Sequence, residues 1–104
     1  MNRVMIELWL WMGEEIGKDF QSASEMRSIR EEKVKKGTTI RHLLDQLAKR
    51  YPPIAQKIFN LNDKKIFPHV VVTYNDRVIS PYIVHDQVLG DGDKITILPM
   101  YMGG

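Results

Sequence analysis

The 104-residue sequence contains no cysteine. Disulfide bridges, zinc–thiolate sites and a thiol nucleophile on this chain are therefore excluded, and any sulfur chemistry must use the cysteine of another protein. The sequence also lacks any apolar run that approaches the roughly 20 residues needed to span a bilayer. Glu7 interrupts the apolar stretch where a signal peptide would need to continue. We therefore expect a cytoplasmic protein with no membrane contact.

The sequence also lacks a marked excess of positive or negative charge. The chain has 15 basic and 13 acidic residues, which give a formal net charge of +2. The nearest approach to a basic cluster, Lys33, Lys35 and Lys36, directly follows Glu31 and Glu32. This mixture does not favour nucleic-acid binding, which needs a basic stripe or patch.

Catalytic and metal-binding motifs are missing as well. His42, His69 and His85 lack the close spacing of metal ligands, so we expect no metal site. No Ser-His-Asp arrangement, phosphate-binding glycine loop or dinucleotide fingerprint is present. Asp91 and Asp93 belong to a predicted hairpin turn and do not suggest a general acid and base. The chain is therefore expected to be acted on by enzymes and not to be one.

The first strand is predicted from strict alternation between Arg3 and Trp11. One face of this strand is aliphatic and comprises Val4, Ile6, Leu8 and Leu10. Trp9 and Trp11 share the opposite face with Met5, and we predict that these two tryptophans form an aromatic docking patch. The alternative is that the polar, loop-rich insertion at residues 12–25, with a short helix near 14–20, folds over them.

The clearest helix follows Gly37. Thr38 and Thr39 are good N-cap residues, and Pro52-Pro53 ends the helix. Between these limits, the apolar residues recur at helical spacing and form one stripe, namely Ile40, Leu43, Leu44, Leu47 and Tyr51. We expect this stripe to pack on the aliphatic face of the first strand.

The remaining segments are predicted to be extended. A second strand lies within residues 26–34, a buried strand covers 69–74, a turn at Asn75-Asp76 leads to a short strand at 78–79, and the last strand covers 94–99. This order indicates an α+β fold in which one main helix packs across a mixed sheet. Residues 1–104 are predicted to form a single domain that ends in a flexible tail, residues 100–104.

That tail ends in a diglycine, Gly103-Gly104. Glycine has no Cβ, so such a pair can enter a narrow cleft and present its α-carboxylate to the active site of another protein. The alternative is that the diglycine is only a frayed chain end without a function. Met100, Tyr101 and Met102 precede the diglycine, and we predict that they bind a hydrophobic channel in a partner. They could equally pack on the edge of this protein's own sheet.

Three stretches together resemble a known family. Residues 37–44, residues 68–76 and above all residues 89–104, from Leu89-Gly90-Asp91-Gly92-Asp93 to the diglycine, are similar to the ubiquitin-like sulfur carriers of the MoaD/ThiS family. The small subunit of molybdopterin synthase is the member that the sequence resembles most. The resemblance covers nearly the whole chain and implies a β-grasp fold.

The resemblance also implies a reaction at Gly104. A ubiquitin-activating-type enzyme would use ATP and magnesium to adenylate the terminal carboxylate, and a sulfur-donor protein would then convert it to a thiocarboxylate. The carrier would insert this group into a larger synthase subunit, where the sulfur is used to make molybdopterin for the molybdenum cofactor. No stably bound cofactor is implied, because the reactive group is the covalent thiocarboxylate itself.

Three alternatives stay open at this point. The carrier could donate sulfur to thiamine or to another sulfur-containing product. It could be a ubiquitin-like modifier whose activated Gly104 forms an isopeptide bond with a lysine. It could also be a plain β-grasp interaction module with an inert tail.

Overall fold

The computed structural model of the chain describes residues 1–9, 21–22, 27–60 and 62–99. Within these ranges, the element order is β1 (Asn2–Leu8), β2 (Gln21–Ser22), β3 (Ser28–Val34), α1 (Ile40–Arg50), α2 (Pro52–Ile58), β4 (Val70–Tyr74), β5 (Arg77–Ile79), α3 (Pro81–Asp86) and β6 (Lys94–Pro99). The predicted helix near residues 14–20 and the predicted tail lie outside the described residues. No helix in the described part of the chain is long and apolar enough to cross a bilayer.

The strands form one mixed sheet in the order β2-β3-β1-β6-β4-β5. The two central strands, β1 and β6, run parallel, and the other neighbouring strands pair antiparallel. The five predicted strands are confirmed, except that β1 ends at Leu8, and residues 10–11 of the predicted first strand lie outside the described residues. The two-residue strand β2 was not predicted, because a pair of polar residues carries no alternation to detect.

The core lies between one face of the sheet and the helices. The three inward residues of β1, Val4, Ile6 and Leu8, are fully buried, as are Ile95 and Ile97 of β6. The apolar stripe of α1 covers this face, and four of its predicted residues, Ile40, Leu43, Leu44 and Leu47, have no exposed surface. This packing confirms the α+β arrangement of one main helix across a mixed sheet, which is the β-grasp architecture.

Helix α1 begins and ends where the sequence predicts. The hydroxyl of Thr39 accepts a hydrogen bond from the His42 amide at 3.2 Å, so Thr39 is the N-cap. At the other end, Arg50 forms a 2.8 Å ion pair with Glu32 of β3, which fixes the last turn to the sheet. Burial alone would raise the pKa of Glu32, but hydrogen bonds and charges from Arg50 and Arg30 outweigh it and hold this pKa below its ordinary value.

Two short helices were missed in the sequence. Pro52 and Pro53 end α1 as predicted, but they also begin α2, since proline is well suited to the first turn of a helix. Helix α3 begins at Pro81 in the same way, with Ser80 as its N-cap. Both helices have fewer than two full turns of apolar periodicity, so they leave little pattern for a prediction.

The turn at residues 90–93 does not close a hairpin, and that part of the sequence prediction was wrong. The segment before it belongs to the helix layer, because Leu89 is buried and its amide donates to the Thr38 carbonyl at 2.8 Å. The turn therefore crosses from the helix layer to the sheet. Gly92 adopts a φ of +87°, which explains the glycine at this position.

Candidate functional site

The candidate site is the place where β6 ends, which we call the tail exit. Strand β6 is an interior strand, and it pairs to its last residue, with Pro99 opposite Val70 of β4. On its other side, the Trp9 amide donates to the Ile97 carbonyl at 2.8 Å. The chain therefore leaves the described structure from the middle of the sheet, between the segment that follows β1 and the start of β4.

Trp9 stands beside this exit on the face of the sheet that the helices do not cover. Trp9 is 40% exposed. The guanidinium of Arg27 lies over the indole ring at 4.7 Å from the centroid, which is a cation–π arrangement. A large aromatic side chain is thus held in place next to the tail exit while part of its surface remains open to a partner.

Four side chains of alternating charge contact one another in series, beginning with Arg27, which lies over Trp9, and we call them the charge ladder. The charge ladder comprises Arg27, Glu7, Lys94 and Asp76. Arg27 binds one Glu7 oxygen through two nitrogens at 2.6 and 2.7 Å. Lys94 approaches the other Glu7 oxygen at 3.9 Å and binds Asp76 at 3.1 Å. Glu7 is only 5% exposed, so its partners are essential for keeping a carboxylate at this position.

The other end of β6 is fixed by Asp93. One oxygen of this carboxylate accepts hydrogen bonds from the Tyr74 hydroxyl at 2.5 Å and the Gly90 amide at 2.6 Å. The second oxygen accepts from the Asn75 side chain at 3.1 Å. The start of β6 is thereby anchored to β4 and to the β4–β5 turn, at the opposite end of the strand from the tail exit.

These hydrogen bonds shift the pKa values of Asp93 and Tyr74. Burial raises the pKa of Asp93, but hydrogen bonds from Tyr74, Gly90 and Asn75 lower it by more, so this pKa lies below its ordinary value. The hydrogen bond that Tyr74 donates to Asp93 is the main reason why the pKa of Tyr74 is raised, and burial adds to it. The carboxylate therefore acts as a structural acceptor and is poorly suited to donate a proton.

The structure describes only one of the predicted site residues. Trp9 lies on the outer face and is partly exposed, whereas Trp11, Met100, Tyr101, Met102, Gly103 and Gly104 are outside the described residues. Sequence reasoning missed Glu7 and Arg27 as supports of Trp9. A charged residue in the middle of a strongly apolar strand was the available signal for Glu7, since such a residue needs a partner.

The three histidines are dispersed in the structure. His69 stacks on Phe67 with ring centroids 5.0 Å apart, His42 lies in the first turn of α1, and His85 lies in the last turn of α3. Among the described residues, no group of three or more His, Cys, Asp or Glu side chains could hold a metal ion.

A family model described as the ThiS family matches residues 20–104. The chain belongs to the ThiS family. The match includes all three stretches that carry the resemblance, residues 37–44, 68–76 and 89–104. It confirms the prediction of a ubiquitin-like sulfur carrier family, whose members are small carrier proteins.

Solved structures share the fold of this ThiS family chain over nearly its whole length. SAMP1 from Haloferax volcanii is 18% identical and aligns over 99% of this chain and 100% of its own, with a TM-score of 0.72. A candidate molybdopterin converting factor, subunit 1, from Pyrococcus furiosus is 20% identical over 97% of this chain and 100% of its own, with a TM-score of 0.65.

A chain in the crystal structure of the BexX/CysO complex from Amycolatopsis orientalis is 20% identical over 97% of this chain and 99% of its own, with a TM-score of 0.66. A search of curated proteins finds no match to the sequence. At these identities the neighbours establish the β-grasp fold of the chain, and they differ in the roles that their names state.

Proposed function

We propose that the chain is a sulfur carrier that reacts through the carboxylate of Gly104 and supplies sulfur for molybdopterin. The observation that carries the proposal is the ThiS family match, which extends to Gly104. The tail exit supports it, because β6 ends at Pro99 in the middle of the sheet. Residues 100–104 could reach about 17 Å at 3.3 to 3.6 Å per residue, which is enough to enter a buried site.

The proposed reaction proceeds in two steps. The Gly104 carboxylate attacks the α-phosphate of ATP in a partner enzyme that uses magnesium, and pyrophosphate leaves. Sulfide, or the terminal sulfur of a donor protein's persulfide, then attacks the carbonyl carbon, and AMP leaves. With a persulfide donor, a second thiol must reduce the resulting acyl disulfide, which releases the thiocarboxylate and a protein disulfide. The larger synthase subunit would receive the thiocarboxylate.

Activation is needed because a C-terminal carboxylate has a pKa of about 3.3 to 3.7 and is therefore an anion with no usable leaving group at neutral pH. The chain has no cysteine, so the donor thiol must belong to a partner. We place the reaction in the cytoplasm, where ATP is available. The molybdopterin branch is favoured by the fold shared with the Pyrococcus furiosus protein.

We further propose that partner enzymes contact the protein beside the tail exit. Trp9, held by Arg27, would form the fixed part of this contact on the outer face of the sheet. Trp11, Met100, Tyr101 and Met102 would extend it along the emerging tail. Large aromatic side chains that are partly exposed and well anchored are typical of the residues that dominate binding energy in interfaces.

A protein modifier is the second candidate. It is favoured by the likeness to a Haloferax volcanii small archaeal modifier protein 1, with a TM-score of 0.73 over 97% of this chain. In that case a lysine amine, and not sulfur, would attack the same activated carbonyl and form an isopeptide bond. The two functions share the adenylation step and differ only in the nucleophile.

Intact-mass measurement separates the candidates. The protein is incubated with ATP, magnesium, the cognate adenylating enzyme and sulfide, with a variant lacking Gly104 as the control. We expect replacement of one terminal oxygen by sulfur in the wild type alone. Adducts on lysines that survive boiling in reductant would instead support the modifier, and no ATP-dependent change would contradict both.

A further inference from the structure

A small cationic cavity lies on the helix side of the molecule, away from the outer sheet face. Its volume is about 250 Å³, and its lining comprises Arg41, Lys65, Ile66, Tyr82 and His85. These residues come from three different segments, namely the start of α1, the loop before β4, and α3. The described lining thus combines two cationic side chains, of which Arg41 is paired with the Asp45 carboxylate, and one imidazole.

Arg41 is held in a fixed position in this cavity. Its guanidinium lies over the Phe59 ring at 4.6 Å from the centroid, and its Nε donates to Asp45 at 3.0 Å. Its Nη2 donates to the carbonyl of Lys64, a residue with a φ of +62°. The side chain is only 17% exposed. Of the five N–H groups of a guanidinium, these two hydrogen bonds leave three for another acceptor.

Lys65 and Tyr82 add to this arrangement. The turn that carries Lys65 is closed by a hydrogen bond from the Asn60 amide to the Lys65 carbonyl at 2.8 Å. The Tyr82 ring is 85% exposed at the rim. A fixed guanidinium, a lysine that lines the same cavity and an exposed aromatic ring are suited to a phosphate group that is attached to a planar ring.

We propose that this cavity binds the phosphate of a small molecule, with Arg41 and Lys65 on the phosphate and Tyr82 against the remainder of the ligand. A small ligand is favoured over a protein because the cavity has a volume of only about 250 Å³, whereas a stable protein interface needs about 800 Å² on each partner. It is favoured over nucleic acid because the chain has a net charge of only +2 and no basic stripe.

The test is a titration of the full chain by amide NMR and calorimetry with inorganic phosphate, AMP and adenosine. We expect phosphate and AMP to give saturable shifts at Arg41, Lys65 and His85, and adenosine to give none. If AMP binds more tightly than inorganic phosphate, the ligand is a phosphate attached to an aromatic ring, and Tyr82→Ala should weaken AMP binding without changing phosphate binding. If AMP and phosphate bind equally, the ligand is the free ion, and Tyr82→Ala should change neither affinity.

Matched variants complete the test. Lys65→Gln should weaken phosphate binding about tenfold, whereas Lys36→Gln, which removes the same charge from an exposed turn residue that does not line the cavity, should not. Arg41→Gln should weaken it at least as much, and Lys65→Gln keeps the test valid if that variant fails to fold. Equal binding of adenosine and AMP, equal effects of the two lysine variants, absence of saturation, or tighter binding of an acidic peptide at the same residues would overturn the proposal.

Discussion

The two faces formed by β1 and the following Trp9 differ in the type and burial of their side chains, although the residues alternate along one short segment. The inward side chains Val4, Ile6 and Leu8 are aliphatic and have no exposed surface. The outward side chains differ from one another: Met5 is 39% exposed, Glu7 is 5% exposed and Trp9 is 40% exposed. One face is uniform and closed, and the other combines apolar surface with a buried charge.

The difference shows which face stabilises the fold by burial and which face keeps apolar surface exposed. The inner face gains free energy from burial alone, about 25 cal/mol per Å² of apolar surface. The outer face orders Trp9 through specific contacts with Arg27 and through it with Glu7. Changes on the inner face should therefore affect the free energy of unfolding, and changes on the outer face should affect partners.

The largest effect is expected for Leu44→Ala. This side chain is fully buried against the sheet, so its truncation leaves a cavity and should lower the free energy of unfolding by about 2 to 5 kcal/mol. Urea denaturation measures the change. Met5→Ala on the outer face is the control and should stay within about 0.5 kcal/mol of the wild type. Similar losses in both variants would erase the distinction between the two faces.

Asp93→Ala should have the next largest effect. The substitution removes the acceptor for the Tyr74 hydroxyl and the Gly90 amide and should cost about 1 to 3 kcal/mol. Asp76→Asn removes a carboxylate from the neighbouring turn, where its side chain is 78% exposed, keeps a residue that tolerates the φ of +69°, and should cost about 0 to 1 kcal/mol. If the two variants are equally stable, Asp93 does not anchor β6.

The loss of folding stability at acidic pH also tests whether Asp93 anchors β6. Because the pKa of Asp93 is lower in the folded protein than in the unfolded chain, its contribution is present above about pH 4 and is lost as the pH falls through the folded value. Glu32 acts in the same direction. We expect a shallower loss of stability below pH 4 in Asp93→Ala, measured by denaturation from pH 7 downward; an unchanged slope would contradict the assignment.

Trp9→Ala should lower the free energy of unfolding only slightly but should strongly weaken binding of the proposed partner enzyme. Loss of the contact with Arg27 should cost about 1 kcal/mol. The efficiency of adenylation by the cognate enzyme should fall about tenfold, mainly through KM, as for loss of one interface anchor. Met5→Ala is again the matched control, since Met5 is similarly exposed on the same face. Equal kinetics for both variants would remove Trp9 from the proposed contact.

Deletion of Gly104 should have the smallest effect on stability and the largest on function. Residues near a chain terminus contribute little to core packing, so the melting temperature should stay nearly unchanged. ATP-dependent formation of the thiocarboxylate should be abolished, as measured by intact mass. A large loss of stability would show that the diglycine packs against the folded body.

Most of the fold could be predicted from residue periodicity, and the candidate site only in part. The stripe from Ile40 to Leu47 and the alternation in β1 identify the core because burial leaves a regular pattern. Helix α3 has too few turns to leave one. The roles of Arg27 and Lys94 depend on tertiary contacts with Glu7, and no spacing in the sequence joins positions so far apart.

The parallel pairing of β1 with β6 has a consequence for biosynthesis. The amide of Arg3 donates to the Asp91 side chain across 88 positions of the chain, and β6 separates β1 from β4 in the sheet. A nascent chain on the ribosome therefore cannot close its core until β6 has emerged, because the central position of the sheet stays empty until then. The sheet is completed only after residues 94–99 are available, so under the proposed function an adenylating enzyme would meet the tail on a finished sheet and not on a partly folded chain.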